Sequence, residues 1–127
     1  MPDFQSSPEL TRQIPATTMG PDSSVAGLRQ AMADGSLTAT ALTQQCLDRI
    51  ADVNPTVRAV ITVCPDALEQ AAASDAALRS GRPRGALEGI PVLVKDNVQV
   101  TGAPTTAGSP ALLVAQAPDA FVVSKLR

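Results

Sequence analysis

Apolar positions along the chain fall into short periodic stretches separated by glycine, proline and small polar residues. From Ser23 onward, Val25, Leu28 and Met32 recur at helical spacing. Asp34-Gly35 closes that pattern, since glycine takes the left-handed conformation past a helix end at least cost. Thr38 then reads as the N-cap of a longer helix whose one face carries Leu42, Cys46, Ile50 and Val53. Asn54-Pro55 predicts its end, because a residue preceding proline is pushed out of the helical region. Residues 57–63 (VRAVITV) are β-branched and partly alternating, the pattern of a strand. Pro65, suited to a first helical position, opens an alanine-rich helix running to about Ser80, with Gly81 as its stop. The small face of this helix (Ala67, Ala71, Ser74, Leu78) lets it lie close against a sheet or another helix.

The second half is less regular. Gly81 to Gly85 is a turn-rich linker whose Arg82 and Arg84 read as solvated side chains rather than an anion site. Gly85 and Gly89 supply turns into residues 90–94 (IPVLV), a continuous apolar run of the kind found in strands buried on both faces. Pro91 is tolerated there at the start of a strand or on a side without a partner. A small polar loop extends to Ser109, then a helical turn starts at Pro110. Asp119 reads as the N-cap of a last helix containing Phe121, Val122 and Leu126. Residues 1–22, rich in Pro, Ser, Thr and Gln, predict a loose N-terminal arm ahead of the domain segment 23–127. Helix–strand alternation predicts an α/β class with a mixed or parallel sheet. Two strands leave edges and faces without partners, so the pattern predicts a domain truncated at its C-terminus.

Composition narrows the chemistry more than the fold. The chain has 127 residues, 44% of them apolar, but its only aromatics are Phe4 and Phe121. Net charge is −2 and the basic residues are scattered, which argues against nucleic acid or an anionic membrane surface as partner. No apolar stretch approaches a membrane span, and the first twenty residues hold a single cation, Arg12, and no secretory core. A cytoplasmic location is the expectation. Cys46 and Cys64 fit small hydrophobes of a reduced protein better than a disulfide framework. There is no His, Tyr or Trp, so a His-based triad, a His zinc site and a tyrosine acid are excluded within these residues. Acid–base work falls to Lys, Asp, Glu or Cys. Neither G-K-[ST] nor G-x-G-x-x-G after a strand occurs, so nucleotide binding is not expected.

Lys95 comes directly after the buried run and precedes Asp96 and Asn97. At such a strand end, desolvation disfavours the ammonium, and a neutral amine is a competent general base, as in Ser–Lys hydrolases. The plainer alternative is a lysine that snorkels to solvent while its stem covers the strand end.

The run from Gly85 to Ser109, GALEGIPVLVKDNVQVTGAPTTAGS, resembles the opening signature of the amidase signature family through G-I-P-x-x-x-K-D-N and T-T-x-G-S. The upstream order is similar as well: L-R-x-x-x-x-x-G-S-L-T, then R-I-A-D-V-N-P, then V-x-A-V-I-T. The likeness covers roughly Ser23 to Arg127. It implies a large mixed sheet covered by helices and hydrolysis of a carboxylic amide through an acyl-serine, without metal or organic cofactor. It also implies that Lys95 relays protons through a serine preceded by a cis peptide bond to a second, nucleophilic serine. The T-T-x-G-S loop, with Thr105, Thr106, Gly108 and Ser109, then shapes and supports the site. Asp96 is a candidate to orient Lys95 or its loop and Asn97 to cap the turn, and for both, as for Thr105 and Thr106, a local backbone hydrogen bond is the alternative. The family's G-G-S-S-G-G-S loop, which supplies the oxyanion hole, is absent from these 127 residues, and Ser109 is not read as the nucleophile. The segment alone is expected to be inactive, with a small-molecule amide as the parent's substrate. A homo-oligomer, or the remainder of the same domain, is the expected protein partner. Two other readings stay open: the glutaminase subunit of a tRNA-dependent amidotransferase, and a non-enzymatic remnant or interaction segment.

Overall fold

The computed structural model describes residues 24–114 and 117–127, so the arm expected over 1–22 lies outside the described residues. Among the described residues four α-helices occur in order: α1 (Val25–Ala33), α2 (Ala39–Val57), α3 (Ala67–Arg79) and α4 (Phe121–Leu126), with a 3₁₀ turn at Pro110–Leu112.

Local signals set the starts of the first two helices. The Ser24 hydroxyl accepts from Gly27 N–H at 3.1 Å and begins α1. The Thr38 hydroxyl does the same for α2, accepting from Ala41 N–H at 3.0 Å. Gly35, at φ 78°, turns the chain between them. Helix α2 passes through Pro55 and ends at Val57, two residues beyond the expected stop. A proline so near the end forfeits only one late hydrogen bond, and Arg58, left-handed at φ 50°, closes the helix by donating to Asn54 O at 2.7 Å. The start of α3 is also displaced. Its N-cap is Asp66, and Pro65 sits in the preceding turn.

Neither expected strand forms, and no strand occurs among the described residues. A strand needs a neighbour for its backbone groups, and helices α2 and α3 offer none to 57–63 or 90–94. At Val60 a side chain serves instead: the Asn54 amide donates to Val60 O at 2.8 Å and accepts from Val60 N–H at 2.9 Å. The run expected to be buried on both faces is open to solvent, with Leu93 76% and Val92 50% exposed.

Packing centres on α2 against α3. Leu42 and Ala39 meet the small face predicted for α3, where Ala71 and Ser74 are buried. Cys46, expected in that core, is only half-buried, and both cysteines are free thiols. The same face of α3 carries buried Asp75, whose carboxylate accepts from Ala39 N–H (2.7 Å), Thr40 N–H (3.1 Å) and the Thr40 hydroxyl (2.6 Å). One helix thus supplies the other's N-terminal acceptor, satisfying donors that the first turn cannot satisfy itself. Gly89 enters the junction of α1, α2 and α3. A Cβ there would stand 3.0 Å from Ala39 Cβ and 3.2 Å from Met32 Sδ, and the residue's φ of +81° disfavours any side chain.

Arg84 is exposed, as expected of the linker, but it is also bound within the chain. Its guanidinium grips Glu88 through Nε (2.9 Å) and Nη2 (2.5 Å), its backbone N–H adds a bond of 2.7 Å, and Nη2 reaches the Ser74 hydroxyl at 2.9 Å. The Arg84 guanidinium, working against the upward pull of burial, holds Glu88 down to about 2. A carboxyl depressed in the folded state contributes stability that is full above its unfolded value, near 4.5, and lost as pH falls toward 2. Glu88→Gln should therefore flatten the loss of stability between pH 5 and pH 2.5 by about 1–2 kcal/mol, discounted for the exposure of Arg84. Urea titrations at both pH values check this, and an unchanged pH slope refutes it.

Among the described residues no helix is long and apolar enough to cross a membrane.

Candidate functional site

Beyond Gly89 the chain runs without regular structure to a turn at Lys95-Asp96-Asn97, closed by Val98 N–H on Lys95 O at 2.9 Å. Asp96 is the hub of this region. Its carboxylate accepts from Thr106 N–H at 2.9 Å, from the Thr106 hydroxyl in a very short bond, and from Gly108 N–H at 3.3 Å. Its own carbonyl accepts from Ala107 N–H at 3.0 Å. The Thr106 hydroxyl, then the Thr106 N–H, holds the Asp96 carboxyl below its usual range against the smaller opposing effect of burial, with Gly108 and Ala107 adding to the effect.

These bonds hold the loop of residues 105–109 in an uncommon shape. Ala107 (φ 48°) and Gly108 (φ 78°) are both left-handed, a conformation that costs alanine free energy unless the surroundings impose it. Successive N–H groups turned to one side in this way suit a carboxylate acceptor. Thr106 is buried by the arrangement, and Ser109 N–H donates to Thr106 O at 2.8 Å.

The C-terminal segment returns to the same region. Ala120 N–H bonds to Gln99 O at 2.9 Å, and Asp119 accepts from Thr101 N–H at 2.6 Å while pairing with Arg127 Nε at 2.8 Å. Asp119 is therefore not the expected cap of α4. Its carboxylate is engaged elsewhere, and Ala120 occupies the N-cap position without a side-chain bond. Between this segment and the loop lies a groove of about 570 Å³, lined by Asn97, Thr105, Ala107, Leu112, Phe121 and Val122.

The structure thus brings together Asp96, Thr106 and Gly108, ties Ser109 to them, and places Asn97 and Thr105 along the groove. Asn97 is exposed, and its amide makes no hydrogen bond among the described residues, so it does not cap the turn. Lys95 is exposed beside Asp96, without the burial expected at the end of a strand, because that strand is not formed. Its ammonium makes no hydrogen bond or ion pair among the described residues. Sequence reasoning did not single out Ala107, whose N–H completes the grip on Asp96. The only signal for it was its place as the variable residue in T-T-x-G-S. Among the described residues no group of three or more Asp, Glu or Cys side chains is gathered for a metal ion.

Residues 41–127 match the Amidase family model. The chain is 42% identical over 104 residues to the A subunit of the glutamyl-tRNA(Gln) amidotransferase of Chloroflexus aurantiacus, covering 80% of this chain and 21% of that protein. It is similar to the native peptide amidase of Stenotrophomonas maltophilia, with TM-score 0.81 and 45% identity over 84% of this chain and 23% of the other. An amidase family protein of Bacillus anthracis superposes with TM-score 0.76 at 33% identity over 92% of this chain and 23% of its own. The chain spans about a fifth of the length of the curated relatives it matches. The fold of these neighbours is the amidase signature fold, and this segment displays a helical part of it. With a family match over most of its length and close structural likeness at 45% identity, the chain belongs to the amidase signature family.

Proposed function

We propose that this segment is the lysine-bearing part of an amidohydrolase that cleaves a carboxylic amide to acid and ammonia or amine. The observation that carries the reading is the joining of the Lys95-Asp96-Asn97 turn to the T-T-A-G-S loop through Asp96, a motif pair that composition alone does not require. In the complete protein, Lys95 takes the proton of a nucleophilic serine through an intervening serine. The serine oxygen attacks the amide carbon, and the C–N bond breaks as the proton passes to the leaving nitrogen. Water then hydrolyses the acyl-serine. Both serines and the oxyanion hole belong to residues outside this segment, so the 127-residue chain alone does not turn over.

The test is acylation of the complete protein. A fluorophosphonate is expected to add one phosphonyl group per chain and stop hydrolysis of simple primary amides. Hydrolysis that persists in the fully phosphonylated protein would refute the acyl-serine route, and lysine-dependent turnover by the isolated segment would refute its inactivity.

A second reading within the family has its own support. The 42% identity with an amidotransferase A subunit supports glutamine as the amide and a partner that receives the ammonia, while the 45% identity with a peptide amidase supports the broader amidase reading equally. Glutamine hydrolysis together with copurification of a second subunit would decide for it. Preference for other amides by a protein purified alone would decide against it.

A further inference from the structure

We infer that Asp96 is a positioning residue for Lys95, holding the lysine's backbone in fixed register with the loop of residues 105–109. The inference rests on the amidase reading and adds a residue to it.

Lys95 brings four rotatable side-chain bonds and an exposed ammonium, so nothing in its own side chain fixes where the amine stands. Its backbone is fixed from two directions. On one side Val98 N–H closes the turn on Lys95 O at 2.9 Å. On the other, Asp96 grips the loop with both its functional groups, the carboxylate taking Thr106 and Gly108 and the carbonyl taking Ala107 N–H at 3.0 Å. Only a residue joined to Lys95 by one peptide unit can set the lysine's Cα against that loop so directly. The grip is also specific to a carboxylate. Three donors converge on two oxygens, and an amide at the same place would turn its NH₂ toward one of them. Thr106 is buried, so its hydroxyl has no ready exchange with solvent if the acceptor is lost.

Displacing a general base by about 1 Å costs on the order of 100-fold in rate. In the complete enzyme, Asp96→Asn should therefore lower kcat for a primary amide by about 30-fold or more, with KM within about threefold. Rates are taken per site titrated with a fluorophosphonate, so unfolded protein does not enter. The limb of the kcat/KM pH profile that belongs to the lysine should move as well, because the amine meets different surroundings. Thr106→Val should lose about tenfold, and Thr106→Ser, which keeps the hydroxyl, should remain within about twofold.

If Asp96→Asn fails to fold, the two Thr106 variants decide. A kcat per titrated site unchanged in Asp96→Asn and in Thr106→Val, with an unshifted profile, overturns the inference and leaves Asp96 as a loop anchor only. Lys95→Ala separates the two levels. If it is inactive while Asp96→Asn is normal, the positioning role alone falls. If it is active, the lysine-base reading falls and the positioning role with it.

Discussion

Lys95→Ala in the complete protein is expected to lower kcat for amide hydrolysis by about 10³-fold or more while leaving the folded state intact. The size of the effect reflects a task that no other residue in the segment can perform. There is no histidine to act as base. The nearby carboxylate of Asp96 is engaged by Thr106 and Gly108 and held below its usual range, which makes it a poor proton acceptor near neutral pH. The fold is expected to survive because Lys95 is exposed and makes no hydrogen bond or ion pair among the described residues, the setting in which substitutions change stability little. Lys95→Arg should not restore activity, since a guanidinium stays protonated and cannot accept the serine's proton. Steady-state rates on a primary amide, with thermal unfolding of both variants, check this. A kcat within tenfold of the parent in Lys95→Ala would end the case for the lysine as base.

The helices were legible in the sequence because their signals are local. Thr38 lies three residues from the N–H it caps, Gly35 lies in the turn it permits, and the small face of α3 is written in its own spacing. The strands were misread for the opposite reason. Residues 57–63 and 90–94 have strand composition, but a strand exists only through a neighbour's hydrogen bonds, and no neighbouring strand occurs among the described residues. The exposure of Ile61 (66%) and Leu93 (76%) is the physical trace of that missing neighbour. The pattern reported correctly what these side chains are suited to, and the chain as given does not bury them.

The site was legible in part and through its motifs. The residues of K-D-N and T-T-x-G-S were singled out together, and Asp96 does join the two. Spacing could not say that the carboxylate, rather than the lysine or the asparagine, makes the join. Nor could it show Arg84 bound to Glu88, since a four-residue separation signals a pair on a helix and these residues are on none. Asp75 was passed over for a similar reason. It lies in an alanine-rich helix next to Ser74, on the face predicted to be buried, but its partners are 35 and 36 residues away. A lone acidic residue on an otherwise small, apolar face was the available signal.

That residue carries the largest stability effect expected in the segment. Burial pulls the Asp75 carboxyl upward, yet the Thr40 hydroxyl, the N–H groups of Ala39 and Thr40, and Arg79 outweigh it and leave the group below its ordinary value. Asp75→Ala removes the acceptor of three donors at a helix start. It strands the N–H of Ala39, a residue with no exposed surface. An unsatisfied buried donor costs about 1–3 kcal/mol and the lost bonds to Thr40 about 1 kcal/mol more, so a total of about 3 kcal/mol is expected. That is on the order of a 100-fold shift toward the unfolded chain. Asp75→Asn keeps one carbonyl oxygen and should lose roughly half as much. Because the carboxyl is depressed in the folded state, its contribution is present above the unfolded value, near 3.8, and lost as pH falls through the lower folded one. The deficit of Asp75→Ala against the parent should therefore shrink in acid. Urea midpoints at pH 7 and pH 3 measure both effects. A deficit below about 1 kcal/mol at pH 7 would mean that α2 starts without help from α3, and that the cross-helix cap is a consequence of the packing rather than one of its causes.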